Sequence, residues 1–391
     1  MYEFSVPMPY NKEQTDKLVS INREIEKSRI TSLYFSLPST NELFTGFEQT
    51  RNQLLDKKDW AFWRDLAEYS VQAGFDVMYC LNMPRPLAIE NPKFPQQIER
   101  LHKLLEELEK LGINKLRTAS PKLTSYLHRN FHQFYLYGST ASDYKIIQEF
   151  QFFKQVHPYL KGLVPSHNVN KNFTLLKNIK KLGLEVEIMV NEGCVQGCSN
   201  RFEHEACLTD SNFENQTKVS IFQEGFCKGN CMKIEQRNPV LYMSKGNHIY
   251  PWEIEEYAKI GINKFKLNGR DGIHNDKQSM TDMIETYLKG IEDIKNIEDI
   301  PVIRFASNST NQERLQNLRV KDVKKYLPDI KHFVKYGDLC ASRCGTGCRY
   351  CYKCAEKIQK KFLKQQKTEE IKSTPICTIS GSEKENYVRA G

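Results

Sequence analysis

Ten of the twelve cysteines fall into two groups, and their thiols are the side chains of this sequence best suited to chemistry. The denser group is Cys340, Cys344, Cys348, Cys351 and Cys354, in the run CASRCGTGCRYCYKC. The other is Cys194, Cys198, Cys207, Cys227 and Cys231, which leaves only Cys80 and Cys377 alone. Thiolates so closely spaced either staple a secreted domain or hold metal. The start, MYEFSVPMPYNKEQTDK, has no basic n-region and no apolar h-region, so no secretory signal is expected. A chain of 391 residues buries a full core without disulfides. Cytoplasmic thiols stay reduced, and the expectation is therefore a cytoplasmic protein whose cysteines bind metal.

Within the first group, Cys194-x3-Cys198 and Cys227-x3-Cys231 are two pairs of equal spacing. Two such pairs supply the four thiolates that a [4Fe–4S] cluster requires, with Cys207 as a fifth candidate. Zinc is the alternative, although structural zinc more often uses C-x2-C spacing. In the second group, Cys344-x3-Cys348-x2-Cys351, with Tyr350 before the last thiol, has the spacing of a radical S-adenosylmethionine site. That superfamily carries the motif early in its barrel, whereas here only forty residues follow Cys351. Cys340 and Cys354 also flank it. The expectation is a second cluster held wholly by protein, or a zinc site, with radical chemistry as an alternative.

These residues need a frame. Four times a helical stretch ends in glycine and passes into an apolar strand-like run: at Gly74, Gly112, Gly183 and Gly261. Glycine just past a helix takes the left-handed conformation at little cost, and a buried parallel strand reads as a continuous apolar run. The strand candidates are 31–37, 76–82, 114–119, 133–138, 162–166, 185–191, 239–245 and 263–268. Helical patterns lie at 61–73, 93–111, 141–159, 172–182, 251–260 and 278–293. Eight alternating units predict an α/β fold, a (β/α)8 barrel over 1–298, with a cysteine-bearing insertion at 194–238. Residues 299–376 read as a small metal-binding appendage and 377–391 as a flexible tail. A doubly wound sheet is the other architecture considered, but no glycine-rich first turn supports it.

In a barrel, residues at the carboxyl ends of strands face the active site. That expectation singles out Arg117, His167, Asn191 and Glu192, with Arg201 and His204 in the cysteine loop and Arg270 after the last strand. Arginine forks pair well with carboxylates, so an anionic small-molecule co-substrate fits this set. Net charge is +9, but the lysines spread along helices such as KNIKKLG, as on a solvated face. RNA is a partner this charge permits and no motif supports. No stretch approaches eighteen apolar residues, so no membrane span is expected.

The segment PWEIEEYAKIGINKFKLNGR, followed by a helix ending ETYLKGIED, resembles a signature of the collagenase-like peptidase family U32. Lys266, Gly269 and Arg270 fit its Lys-x-x-Gly-Arg ending, and the family also carries cysteines before this element. By motif the resemblance covers about 190–295 and by architecture about 30–295. It implies either a peptidase or one of the cluster-dependent relatives that hydroxylate a quinone precursor, a tRNA uridine or an rRNA cytidine without molecular oxygen. In that branch prephenate is the implied oxygen donor. No nucleophile–base pair here supports proteolysis. The reading is an iron–sulfur oxidoreductase, an oxygen-independent hydroxylase with Arg117, His167, Glu192 and Arg270 as catalytic candidates. An electron-donor protein is a further implied partner. A peptide-modifying enzyme and a metal-stabilised RNA- or protein-binding module are the alternatives.

Overall fold

The computed structural model describes residues 1–38, 41–48, 59–84, 94–192, 197–198, 201–202, 247–268, 280–305, 317–343 and 348–362. Eight parallel strands close into a barrel in sequential order. They are β1 (Tyr2–Pro7), β2 (Ser28–Phe35), β3 (Asp76–Leu81), β4 (Lys115–Thr118), β5 (Tyr135–Gly138), β6 (Gly162–Leu163), β7 (Glu185–Met189) and β8 (Lys264–Lys266). The helices of the barrel are α1 (Lys12–Glu24), α2 (Trp60–Gln72), α3 (Phe94–Lys110), α4 (Pro121–Asn130), α5 (Ile147–Val156), α6 (Phe173–Lys181), α7 (Ile254–Ala258) and α8 (Met280–Glu292). The fold is the expected (β/α)8 barrel.

The glycine junctions explain why the pattern was readable. Gly74, Gly112, Gly183 and Gly261 all have φ between +72° and +88°, the region where a side chain would be strained. Each stops a helix and turns the chain into β3, β4, β7 or β8. Along the strands, alternate residues point outward into one large apolar core with the helices, among them Phe4, Val6, Leu116, Val186, Ile188 and Phe265. The other set points into the bore.

One strand assignment is corrected. The closing strand is β1, which pairs with β2 on one side and with β8 on the other through Phe4 and Phe265. The eight described strands close the ring without the run 239–245, expected as a barrel strand, which lies outside the described residues. The reason is physical. β1 (YEFSVP) follows no glycine junction, and its Glu3 and Ser5 alternate with apolar residues, so it does not read as one apolar run.

Beyond α8, the chain packs back on the barrel. Phe305 packs edge-on against Trp252 and Tyr287, at 6.2 and 6.0 Å between ring centroids. Helices α9 (Val320–Val323), α10 (Ile330–Arg343) and α11 (Tyr350–Phe362) follow. Helix α10 lies close on the start of α6: a β-carbon at Gly337 would sit 2.7 Å from the Lys171 carbonyl oxygen. Lys171 in turn lies over the Phe333 ring, 4.8 Å from its centroid. Among the described residues, no helix is long and apolar enough to cross a membrane.

Candidate functional site

The carboxyl ends of β5, β6, β7 and β8 build the face to which the first cysteine group attaches. Its base is a set of backbone and amide bonds. Val190 donates to the Lys266 carbonyl at 2.9 Å, and Ile249 donates to the Val190 carbonyl at 2.7 Å. Asn170 Nδ2 donates to the carbonyls of Met189 (2.8 Å) and Asn247 (2.9 Å). The chain entering the insertion after β7 and the chain leaving it are therefore clamped together by one buried amide. Asn191 makes a reciprocal pair with Asn268, whose N–H donates to Asn191 Oδ1 at 2.7 Å. This closes the rim between β7 and β8.

Local sequence explains the position of Asn170. Asn172 caps α6 by accepting the Leu175 N–H at 3.0 Å, which fixes where that helix starts. The short 3-10 turn His167–Val169 then fills the space between β6 and the cap. From this turn, Asn168 Oδ1 accepts the Gly197 N–H at 2.8 Å. The residue next to Cys198 is thereby fixed to the β6–α6 loop.

Charge converges at the same place. Glu192 and Arg201 are buried. Arg201 spans two loops, with Nη2 at 3.5 Å from Glu192 and Nε at 3.7 Å from Asp143. Asp143 also pairs with Lys145 at 2.6 Å and accepts from Ser166 Oγ at 2.5 Å. It sits at φ 54°, the one described non-glycine residue in the left-handed region. Aspartate tolerates that region, and such strain persists only where the surroundings hold it. His248 is fully buried beside Glu192 and Lys171. Burial, reinforced by the Lys171 charge, pushes its imidazole down to about 3, so it is neutral at physiological pH. His167 is also fully buried, and neither ring nitrogen has a hydrogen-bond partner among the described residues.

Arg117 lies elsewhere. It occupies β4 opposite Cys80 on β3 and Tyr137 on β5, in the bore of the barrel. There its Nη2 pairs with Glu187 on β7, and the other carboxylate oxygen of Glu187 accepts from the Ser5 hydroxyl on β1. Burial alone would raise the Glu187 acid. The Arg117 and Lys266 charges and the hydrogen bonds from Ser5 and Arg117 outweigh it and hold the carboxyl below its usual range. Lys266 stands over the Tyr34 ring, 3.9 Å from its centroid, and the Tyr34 hydroxyl donates to the Leu267 carbonyl at 2.7 Å. The bore thus carries a polar column rather than the branched apolar layers common in this fold.

In the second cysteine group, Cys351 and Cys354 lie one turn apart on α11, with Cys348 just before it. Cys354 is buried, and burial pushes its thiol up. Tyr350 stacks on His332 at 3.8 Å between centroids and accepts the Asp329 N–H at 2.9 Å, which docks α11 on α10. Among the described residues, no group of three or more His, Cys, Asp or Glu side chains is placed to hold a metal ion. Cys194, Cys207, Cys227, Cys231, Cys344, His204 and Arg270 lie outside the described residues, as does the side chain of Cys340.

Asp143, Asn168, Asn170, Glu187 and His248 were not among the sequence candidates. For Glu187 a signal existed: in EVEIM a carboxylate recurs at every second position of an otherwise apolar strand. With helices covering the outer face, that position must point inward. The others carry no such mark, because their partners come from different βα loops.

No family model matches the chain, and no curated protein does. Solved structures with some likeness include a U32 peptidase, at TM-score 0.43 and 10% identity over 69% of this chain and 93% of that one. An O-GlcNAc hydrolase mutant from Thermobaculum terrenum gives TM-score 0.34 and 10% identity, covering 92% of each chain. An Anoxybacillus alpha-amylase gives 0.34 and 8%, covering 75% of this chain and 79% of its own. At these values the likeness bears on no reaction.

Proposed function

We propose that this chain is an iron–sulfur oxidoreductase of the U32-like group, acting as an oxygen-independent hydroxylase. The observation that carries the reading is the anchoring of the Cys198 loop at the carboxyl-end face. Gly197 is bonded to Asn168, and both stems of the insertion are clamped by Asn170. The donor chemistry fits the group: paired thiolates at C-x3-C spacing suit iron–sulfur ligation, with ligands drawn from Cys194, Cys198, Cys207, Cys227 and Cys231. A second [4Fe–4S] cluster or a zinc ion belongs to the other group. Its ligands would be drawn from Cys340, Cys344, Cys348, Cys351 and Cys354. On this reading residues 1–298 form the catalytic barrel and 299–376 the metal-binding appendage.

A bound cluster supplies electrons or a Lewis-acidic iron beside the substrate. The chain's own groups do the rest. Arg201, shared between Glu192 and Asp143, fixes two loops of the face at one charge separation. On this reading Glu192 takes or returns a proton, and Arg270, which lies outside the described residues, holds an anionic co-substrate such as prephenate. The buried rings of His167 and His248 exclude water from beneath the loop. Arg117 belongs to the bore and supports this face through Glu187 and Lys266. The substrate is an RNA base or a quinone precursor, and an electron-donor protein would keep the cluster in its working oxidation state.

The test is a host strain carrying Cys198→Ala, grown without oxygen. Mass spectrometry would compare its tRNA and rRNA nucleosides and its quinone precursors with the parent's. A hydroxylated nucleoside or quinone intermediate should disappear. Unchanged profiles in both classes would contradict the proposal.

A further inference from the structure

Helix α5 holds the barrel by Phe150 and Phe153, which are buried. Its exposed positions are Gln148, Gln151, Phe152, Gln155 and Val156. At about 100° per residue these five share one face about 140° wide, turned away from the two buried rings. Phe152 is 67% exposed, more than any other large apolar side chain among the described residues except the terminal Met1. Val156, one turn further on, is 47% exposed, and Ile146, just before the helix, is 54% exposed.

That face carries no charge. Both charged residues of the helix are turned to nearby backbone. Glu149 accepts the backbone N–H groups of Lys145 and Ile146 at 2.6 and 3.0 Å, and Lys154 Nζ donates to the Pro158 carbonyl at 3.1 Å. The other barrel helices with exposed faces differ: α1, α2, α3, α4 and α6 expose Lys12, Arg64, Glu99, Arg129 and Lys177. A solvent-facing helix surface is ordinarily charged, and a face of apolar and amide groups gains from being covered.

The missing charge says what covers it. In a two-fold contact a side chain near the axis meets its own copy, so any charge there would meet its like. A chain of net charge +9 repels its own copies, and a neutral face is where two of them can meet. A glutamine amide is both donor and acceptor, so the amides of two copies can bond to each other. An acidic partner would call for lysine or arginine within the face, and it has neither.

We propose that α5 is a two-fold docking surface for a second copy of this chain, with Phe152 at its centre. The two Phe152 rings pack across the axis, Val156 covers the flank, and the glutamines pair around them. Ten helical residues span about 15 Å, which is short of the roughly 800 Å2 per partner of a standard interface, so the dimer is reversible. The face lies on the outside of the barrel and does not depend on any cluster.

The experiment is sedimentation velocity on the full chain from about 1 to about 100 μM, kept reduced so that no disulfide links two copies. The parent should pass from monomer to dimer over that range. Phe152→Asp should weaken the dimer about thirtyfold or more, because it removes a central anchor and sets two like charges together. Phe152→Lys should do the same, and mixing the two variants should bring dimer back, since opposite charges then meet. The side chain is mostly in solvent, so neither change threatens the fold. Phe202→Ser, at another exposed phenylalanine, should leave the dimer unchanged. A parent that stays monomeric at the top concentration, a dimer indifferent to Phe152→Asp, no gain on mixing, or loss caused by Phe202→Ser would each overturn the proposal.

Discussion

Replacing Arg117 with methionine removes one half of a buried ion pair and leaves the other in place. Arg117 is 2% and Glu187 8% exposed, so the stranded carboxylate cannot simply turn to water. Breaking a buried pair in this way costs about 3–5 kcal/mol. Glu187 keeps the Ser5 hydroxyl and the nearby Lys266 charge, which places the expected loss near the low end, about 3 kcal/mol. Removing the acid as well, in Arg117→Met/Glu187→Leu, takes both charges out and fills the space. The double variant should recover at least half of the loss, because a packed apolar pair often replaces a buried ionic one at no net penalty. A pH signature accompanies it. The folded carboxyl titrates below 4.5, so the pair's stabilisation is present above that value and lost as pH falls through the folded pKa. Arg117→Met should flatten that acid limb. Urea denaturation followed by circular dichroism at pH 7 and at pH 4 measures all three. Parent-like stability in the single variant, or a double variant less stable than the single, would refute the reasoning.

Three further perturbations have signs set by the structure. Burial pushes Glu48 up to about 7 against hydrogen bonds from Tyr79 and Thr45, so the folded state loses stability as pH rises from 4.5 to about 7. The parent's stability relative to Glu48→Gln should fall by about 3 kcal/mol across that window, and a constant difference would contradict it. His248, held down near 3, costs stability as pH falls from 6.5 toward that value, because the unfolded ring gains a proton that the folded one refuses. Its ring signals in NMR should stay those of neutral imidazole at pH 5; a protonated ring there sinks the assignment. Gly337→Ala puts a β-carbon 2.7 Å from the Lys171 carbonyl, so α10 must lift from α6 at a cost of about 1–3 kcal/mol. Limited proteolysis between α8 and α10 should then quicken, and an unchanged cleavage rate would show that α10 is not seated there.

The glycine junctions made the barrel legible because each is a local event: a helix stops and a buried strand starts within a few residues. β1 has no such junction and alternates polar with apolar residues, and its pairing with β2 and β8 marks it as part of the ring. His167 and Glu192 could be assigned to the carboxyl-end face from their place after apolar runs. The depth of Arg117 could not, because it depends on the stagger of the strands around the closed barrel. Asp143 meets Arg201, and Asn168 meets Gly197, only once separate loops are brought together by closure, which no spacing in the chain records.

The central claim is that the cysteines hold iron–sulfur clusters. The most direct measurement is iron, sulfide and zinc analysis with electron paramagnetic resonance on anaerobically purified protein, with Cys194→Ala and Cys348→Ala alongside. The expected result is about eight irons and eight sulfides per chain, with each variant losing about half. Zinc without sulfide, unaffected by Cys194→Ala, would contradict it.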